Sequence, residues 1–129
     1  MSKFLKYGLW GGLLSALLNT GIVLLFLVAK GDEIVWAGQN KDTLYPAVVF
    51  AVSLVASLIG GLLAGSLFRK QANGFRNYFV LVVVMVVLNS IAGETMLSES
   101  YRLLSHVTHL VAAAVSIWTM GRAGLRGRK

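Results

Sequence analysis

With 129 residues, 57% hydrophobic side chains and a mean hydropathy of +0.74, the chain is more apolar than a soluble domain of its size. It has no cysteine, which excludes disulfides, thiolate metal sites, CxxC redox chemistry and cysteine nucleophiles together. A net charge of +7 and a pI near 10.2 would suggest nucleic acid in a soluble protein, but here the basic residues are accounted for by membrane topology, and no nucleic-acid partner is expected.

The first apolar block runs from about Tyr7 to Ala29. Lys3 and Lys6 precede it as they would in a signal peptide, yet the run is longer than a signal core and ends Leu27-Val28-Ala29, so a retained helix is expected. A polar segment from Lys30 to Tyr45 follows, with Ile34, Val35 and Trp36 as its apolar patch and Trp36 suited to an interface. The second block, Pro46 to Phe68, opens on the sole proline, at a first-turn position where a missing N–H costs nothing. A short basic turn leads to the third block, Tyr78 to Leu97, and a still shorter one to the fourth, Arg102 to Met120, so the last two helices must form a tight hairpin. A bilayer core needs roughly 20 mainly apolar residues per span. The fold expected is all-α: a single four-helix integral membrane domain.

Charge sets the orientation. With both termini cytoplasmic, that side holds Lys3, Lys6, Arg69, Lys70, Arg76, Arg122, Arg126, Arg128 and Lys129, most of the twelve Lys and Arg. Asp32, Glu33, Asp42, Glu94 and Glu99 then lie at or near the outer side. The tail from Gly121 to Lys129 is placed against anionic lipid head groups, where each juxtamembrane charge contributes about 1 kcal/mol.

Small residues at four-residue spacing mark helix contacts: Gly8 and Gly12 in the first helix, and Ser53, Ser57, Gly61 and Gly65 in the second. Such a stripe packs either within the bundle or against a second copy or membrane partner. Leu18-Asn19-Thr20 in helix one is echoed by Leu88-Asn89-Ser90 in helix three, a hint of a parallel repeat of two hairpins.

Polar residues converge on one depth. At 1.5 Å per residue, Asn19, Ser53, Asn89 and His109 all come out roughly 10 to 15 Å below the outer boundary. Glu94, Arg102 and His106 sit above them, and Arg102, His106 and His109 share a helix face by their spacing of four and three. Asn and Ser alone would read as interhelical glue. Histidines within a membrane point instead to a ligand or proton site, since their charge changes near neutral pH. Glu94, His106 and His109 have the ligand count of a catalytic zinc, but an HxxH spacing on one helix does not assign a metal, and no metal or cofactor is expected. No nucleophile elbow, phosphate loop or paired carboxylate site is present.

The four blocks, Asn19 in the first helix, the Gly60-Gly61 to Gly65 stretch and His109 within Thr108-His109-Leu-Val-Ala-Ala resemble a family of small bacterial integral membrane proteins of unknown function. The resemblance implies the four-helix fold and a bacterial plasma membrane, and no mechanism. Small multidrug exporters also have four short helices, but they depend on a carboxylate inside helix one, where this chain offers only Asn19. The expected function is binding or transport of a small ligand at a polar pocket opening to the outer face; the alternative is a non-catalytic subunit or scaffold that docks a partner through its small-residue faces. An enzyme ranks third.

Overall fold

The computed structural model describes residues 2–127, with Arg128 and Lys129 of the basic tail outside the described residues. The chain forms α1 (Ser2–Lys30), α2 (Pro46–Ser66), α3 (Gly74–Met96) and α4 (Glu99–Met120), each long and apolar enough to cross a membrane. No strand occurs among the described residues. A 3₁₀ turn, Phe68–Lys70, follows α2, and a wide turn, Gly121–Leu125, follows α4. Gly124 in that turn has φ of 96°, a left-handed conformation that glycine adopts without strain.

Pro46 takes the first turn of α2, with Tyr45 extended before it. Three helices begin before the apolar blocks expected for them, α1 at Ser2, α3 at Gly74 and α4 at Glu99, while α2 ends at Ser66, short of Phe68. Lys3, Lys6 and Arg76 do not end a helix, because a long basic side chain carries its charge away from the apolar surface while its backbone stays hydrogen-bonded. The start of α1 and the turn after α4 lie at one end of the bundle, where Phe4, Ala64, Tyr78, Met120, Ala123 and Leu125 form a cluster. At the opposite end, Val23, Leu27, Val49 and Leu104 form a second. There the 31–45 connection is tied to the α3–α4 hairpin by the Ser98 N–H, which donates to the Asp42 carbonyl at 3.0 Å.

α1 is the centre of the arrangement and packs along α2 and α4, while α3 packs on α4 and meets α2 only locally, where Tyr78 faces Gly60. One face of α1 is buried, carrying Phe4, Gly8, Gly11, Gly12, Ser15, Ala16, Asn19, Val23 and Leu27. Their spacing of three and four keeps them on one stripe. The glycines let backbones touch: a Cβ on Gly61 would lie 2.8 Å from the Phe4 carbonyl oxygen and 3.0 Å from Gly8 Cα. A Cβ on Gly12 would meet the Leu54 carbonyl at 3.0 Å, and one on Gly11 would meet Thr119 Oγ1 of α4 at 2.8 Å. Gly8, Gly12, Ser57 and Gly61 therefore face one another across the α1–α2 contact, and Gly65 is buried on the same helix.

Outside this contact the distribution is inverted relative to a soluble protein. Leu25 is 72% exposed and Leu103 74%, and α3 buries only Gly74, Tyr78 and Gly93. So much exposed apolar surface suits a lipid environment.

Replacing Gly61 with Leu should force α1 and α2 apart and lower the thermal midpoint in detergent, by about 1–3 kcal/mol of stability or more. Leu at exposed Val83 should stay within about 0.5 kcal/mol of wild type. Equal midpoints for the two variants would contradict the α1–α2 contact described here.

Candidate functional site

Between the two apolar clusters lies a polar layer, and Asn19 organises it. Its Nδ2 donates to Ser53 Oγ on α2 and to the Thr108 carbonyl on α4, each at 3.1 Å, so one side chain ties three helices. Asn19 is 2% exposed, and its Oδ1 has no hydrogen-bond partner. The amide cannot simply be turned round, since the Thr108 carbonyl accepts and never donates. One turn away, the Ser15 and Ser57 hydroxyls are 3.4 Å apart.

Because α3 leans on α4 and not on α2, a cleft of about 410 Å³ runs between α2 and α3, with α4 as its back wall. Asn19, Ser53, Asn89 and His109 all line it, together with Ser105, Thr108 and Ser116. Ser57 and Tyr78 also line it, and the remainder is apolar, dominated by Val, Leu, Ile and Met of α2 and α3. His109 Nδ1 is buried without a partner, and Asn89, exposed on the cleft wall, makes no hydrogen bond among the described residues. In a low-dielectric setting each unpaired buried group costs about 1–3 kcal/mol.

The cleft differs from the pocket that depth alone suggests. It is not confined to the half nearer the 31–45 connection: it reaches Leu63, Tyr78 and Ser116, well toward the terminal end, and it opens sideways between two helices. Tyr78 shapes this deeper part. Its hydroxyl is 2.6 Å from Ser116 Oγ, its ring meets Phe68 edge-on, and a Cβ on Gly60 would come within 2.8 Å of the hydroxyl oxygen. Neither Tyr78 nor Ser116 stands out in the sequence, because a Tyr at the edge of an apolar block reads as an interfacial anchor. Only the pairing of Gly60 with a facing aromatic would have signalled it.

Glu94, Arg102 and His106 form a separate group between α3 and α4 at the hairpin end. His106 Nε2 lies 2.6 Å from Glu94 Oε1, Arg102 is 3.8 Å from Glu94 Oε2, and Arg102 Nε also donates to the Leu97 carbonyl. These side chains satisfy one another, are partly exposed, and none lines the cleft. The shared helix face thus divides, with Arg102 and His106 turned to Glu94 and His109 to the cleft. Among the described residues no three His, Cys, Asp or Glu side chains gather as metal ligands, so Glu94, His106 and His109 do not form a set. The echo between Asn19 and Asn89 does not extend to their environments either: one is buried at a three-helix junction, the other exposed on a wall.

At the terminal end the basic residues lie over aromatic faces, Arg122 at 5.7 Å from the Trp118 ring and Arg126 at 5.5 Å from Phe75. Lys30 does the same at the other end, over Phe26 and Tyr101, and also pairs with Asp32.

No curated protein and no solved structure matches this chain. Residues 3–126 match the model of DUF6069, a family of unknown function. Since that match spans nearly the whole sequence, the chain belongs to the DUF6069 family.

Proposed function

We propose that this is a multi-pass membrane protein, with both termini cytoplasmic, that binds a small amphipathic molecule in the cleft between α2 and α3, the molecule entering sideways from the bilayer. The observation that carries this reading is the cleft itself: two neighbouring helices stand apart over an apolar lining in which Asn19, Asn89 and His109 keep unspent hydrogen-bonding capacity. Ligand pockets combine a mostly apolar wall with a few placed polar groups, in volumes of roughly 300–1,000 Å³. Glue alone would leave the polar atoms paired.

Gly8, Gly12 and Gly61 are engaged in the contact of α1 with α2, so we favour ligand binding over the alternative of a subunit that docks a partner through its small-residue faces. The basic terminal end, with Arg122 and Arg126 beside aromatic rings, fits a surface of anionic head groups. A bacterial plasma membrane is the setting we favour, on the resemblance to small bacterial integral membrane proteins, while the sorting of Lys and Arg between the two ends of the bundle supports the orientation.

Two measurements test this. Reporter fusions after Gly127 and near Asn73 should report cytoplasmic, and one near Asn40 external; an external C-terminus would overturn the orientation. Wild-type protein taken from membranes in mild detergent should carry a lipid-sized adduct in native mass spectrometry. Ala112→Phe or Ala56→Phe, each filling the cleft from a different wall, should reduce its occupancy at least five-fold, and His109→Ala should do so with the bundle still folded. An adduct retained by both filled variants would place the ligand elsewhere. A wild type with no adduct would remove the case for binding.

A further inference from the structure

We infer that the cleft selects an uncharged amphiphile whose head group is a hydroxyl, a long-chain alcohol by chemical class; the inference rests on the cleft being a ligand site. Among the described residues no Lys, Arg, Asp or Glu lines it. His109 is the one lining side chain that can become a cation, and only on protonation; no permanently charged group balances a phosphate, a carboxylate or an ammonium, and an ionised head buried without a counter-charge is strongly disfavoured.

The open hydrogen-bond positions narrow the head further. Asn19 spends both amide hydrogens on Ser53 and Thr108 and keeps an unpaired acceptor in Oδ1. Ser53 accepts from Asn19, and its own hydroxyl donates to no described group. Asn89 has both its acceptor and its donors open, and a neutral His109 ring offers one of each. The set therefore needs a partner that donates and accepts. An ether, a ketone or a quinone only accepts, and would leave Asn19 Oδ1 as it is. A hydroxyl does both through one small atom. Asn19 Oδ1 and His109 Nδ1 are covered by their neighbours, whereas the Asn89 amide is exposed at the wall and is the group a head meets first. The tail then lies along Val48, Val52, Ile59, Val82 and Val86, a wall without a polar atom in its side chains.

The test holds the chain length and changes the head. Protein in phosphatidylcholine nanodiscs is photolabelled with a diazirine-bearing tetradecanol, and the cleft peptides are followed by mass spectrometry. Competitors are 1-tetradecanol, its methyl ether, tetradecyl sulfate and tetradecyltrimethylammonium. Tetradecanol should displace the probe at a concentration about ten-fold lower than the other three, the value of one well-placed hydrogen-bonded group. Asn89→Leu should erase most of that preference, while Val83→Leu, on the lipid-facing side of the same helix, should keep it. Equal displacement by all four would overturn the hydroxyl assignment and leave the cleft a general amphiphile site. Best displacement by either charged competitor would overturn it as well. Failure of every competitor to reduce labelling of the cleft peptides would instead bring down the binding reading on which the inference stands.

Discussion

The backbone contact of α1 with α2 at Gly8 and Gly61 governs everything else in this bundle. Gly61 Cα and Gly8 Cα approach so closely that a single added Cβ would meet main-chain atoms at about 3 Å. In hydrocarbon there is no hydrophobic drive between helices, so association depends on such close van der Waals packing. Having spent its small-residue face on α1, α2 presents Val48, Val52, Ala56 and Ile59 toward α3, a bulky and sparsely polar surface with nothing to pull α3 in. On α4, by contrast, Ser105 fits against Gly93 and Ser116 meets Tyr78, and α3 follows those contacts. The cleft is the consequence of α2 and α3 each having a better neighbour than the other.

Asn19 then fixes the register of the three helices that do pack. A polar side chain inside a membrane bundle contributes only about 0.6 kcal/mol on average through a hydrogen bond between helices. It is therefore weak as a source of stability. Its effect is geometric: two donors held to Ser53 and to the Thr108 carbonyl allow only one relative height of α1, α2 and α4. That height places His109, one residue beyond Thr108, on the back wall of the cleft.

Much of this was legible in the sequence, and the reason differs by element. The four helices follow from block length, and the depth estimate from helical rise brought Asn19, Ser53, Asn89 and His109 to a common level, where the structure lines one cleft with all four. Depth along an axis says nothing about rotation around it. For that reason Glu94, Arg102 and His106, close in height and partly on the same face, were grouped with His109, although the α3–α4 hairpin turns them toward each other. The sideways opening was beyond reach because it depends on which pairs of helices pack, and hydropathy treats every pair alike. The small-residue stripe favours packing within the bundle, since four helices need several such faces, without excluding packing against another copy, and the facing positions of Gly8 and Gly61 show the contact within the bundle.

The apolar exposure and the unpaired polar atoms pull in opposite directions, and that opposition bears on function. In the bilayer setting proposed above, alkyl chains would fill the cleft and satisfy its valine and leucine walls, but they would bring no hydrogen-bonding atom to Asn19, Asn89 or His109. Substituting Leu for those polar side chains would suit a cleft meant only for lipid tails, and the chain instead retains them beside Ser53, Ser105 and Thr108. Polar groups at this depth are costly unless they are used. Asn19 is used in part, by the three-helix junction, which explains its amide nitrogen and leaves its oxygen unexplained. Asn89 contributes to no junction at all, so packing gives no reason for an amide at that wall of the cleft. The groups that packing does not account for are the same ones that an amphiphile with a polar head would complete.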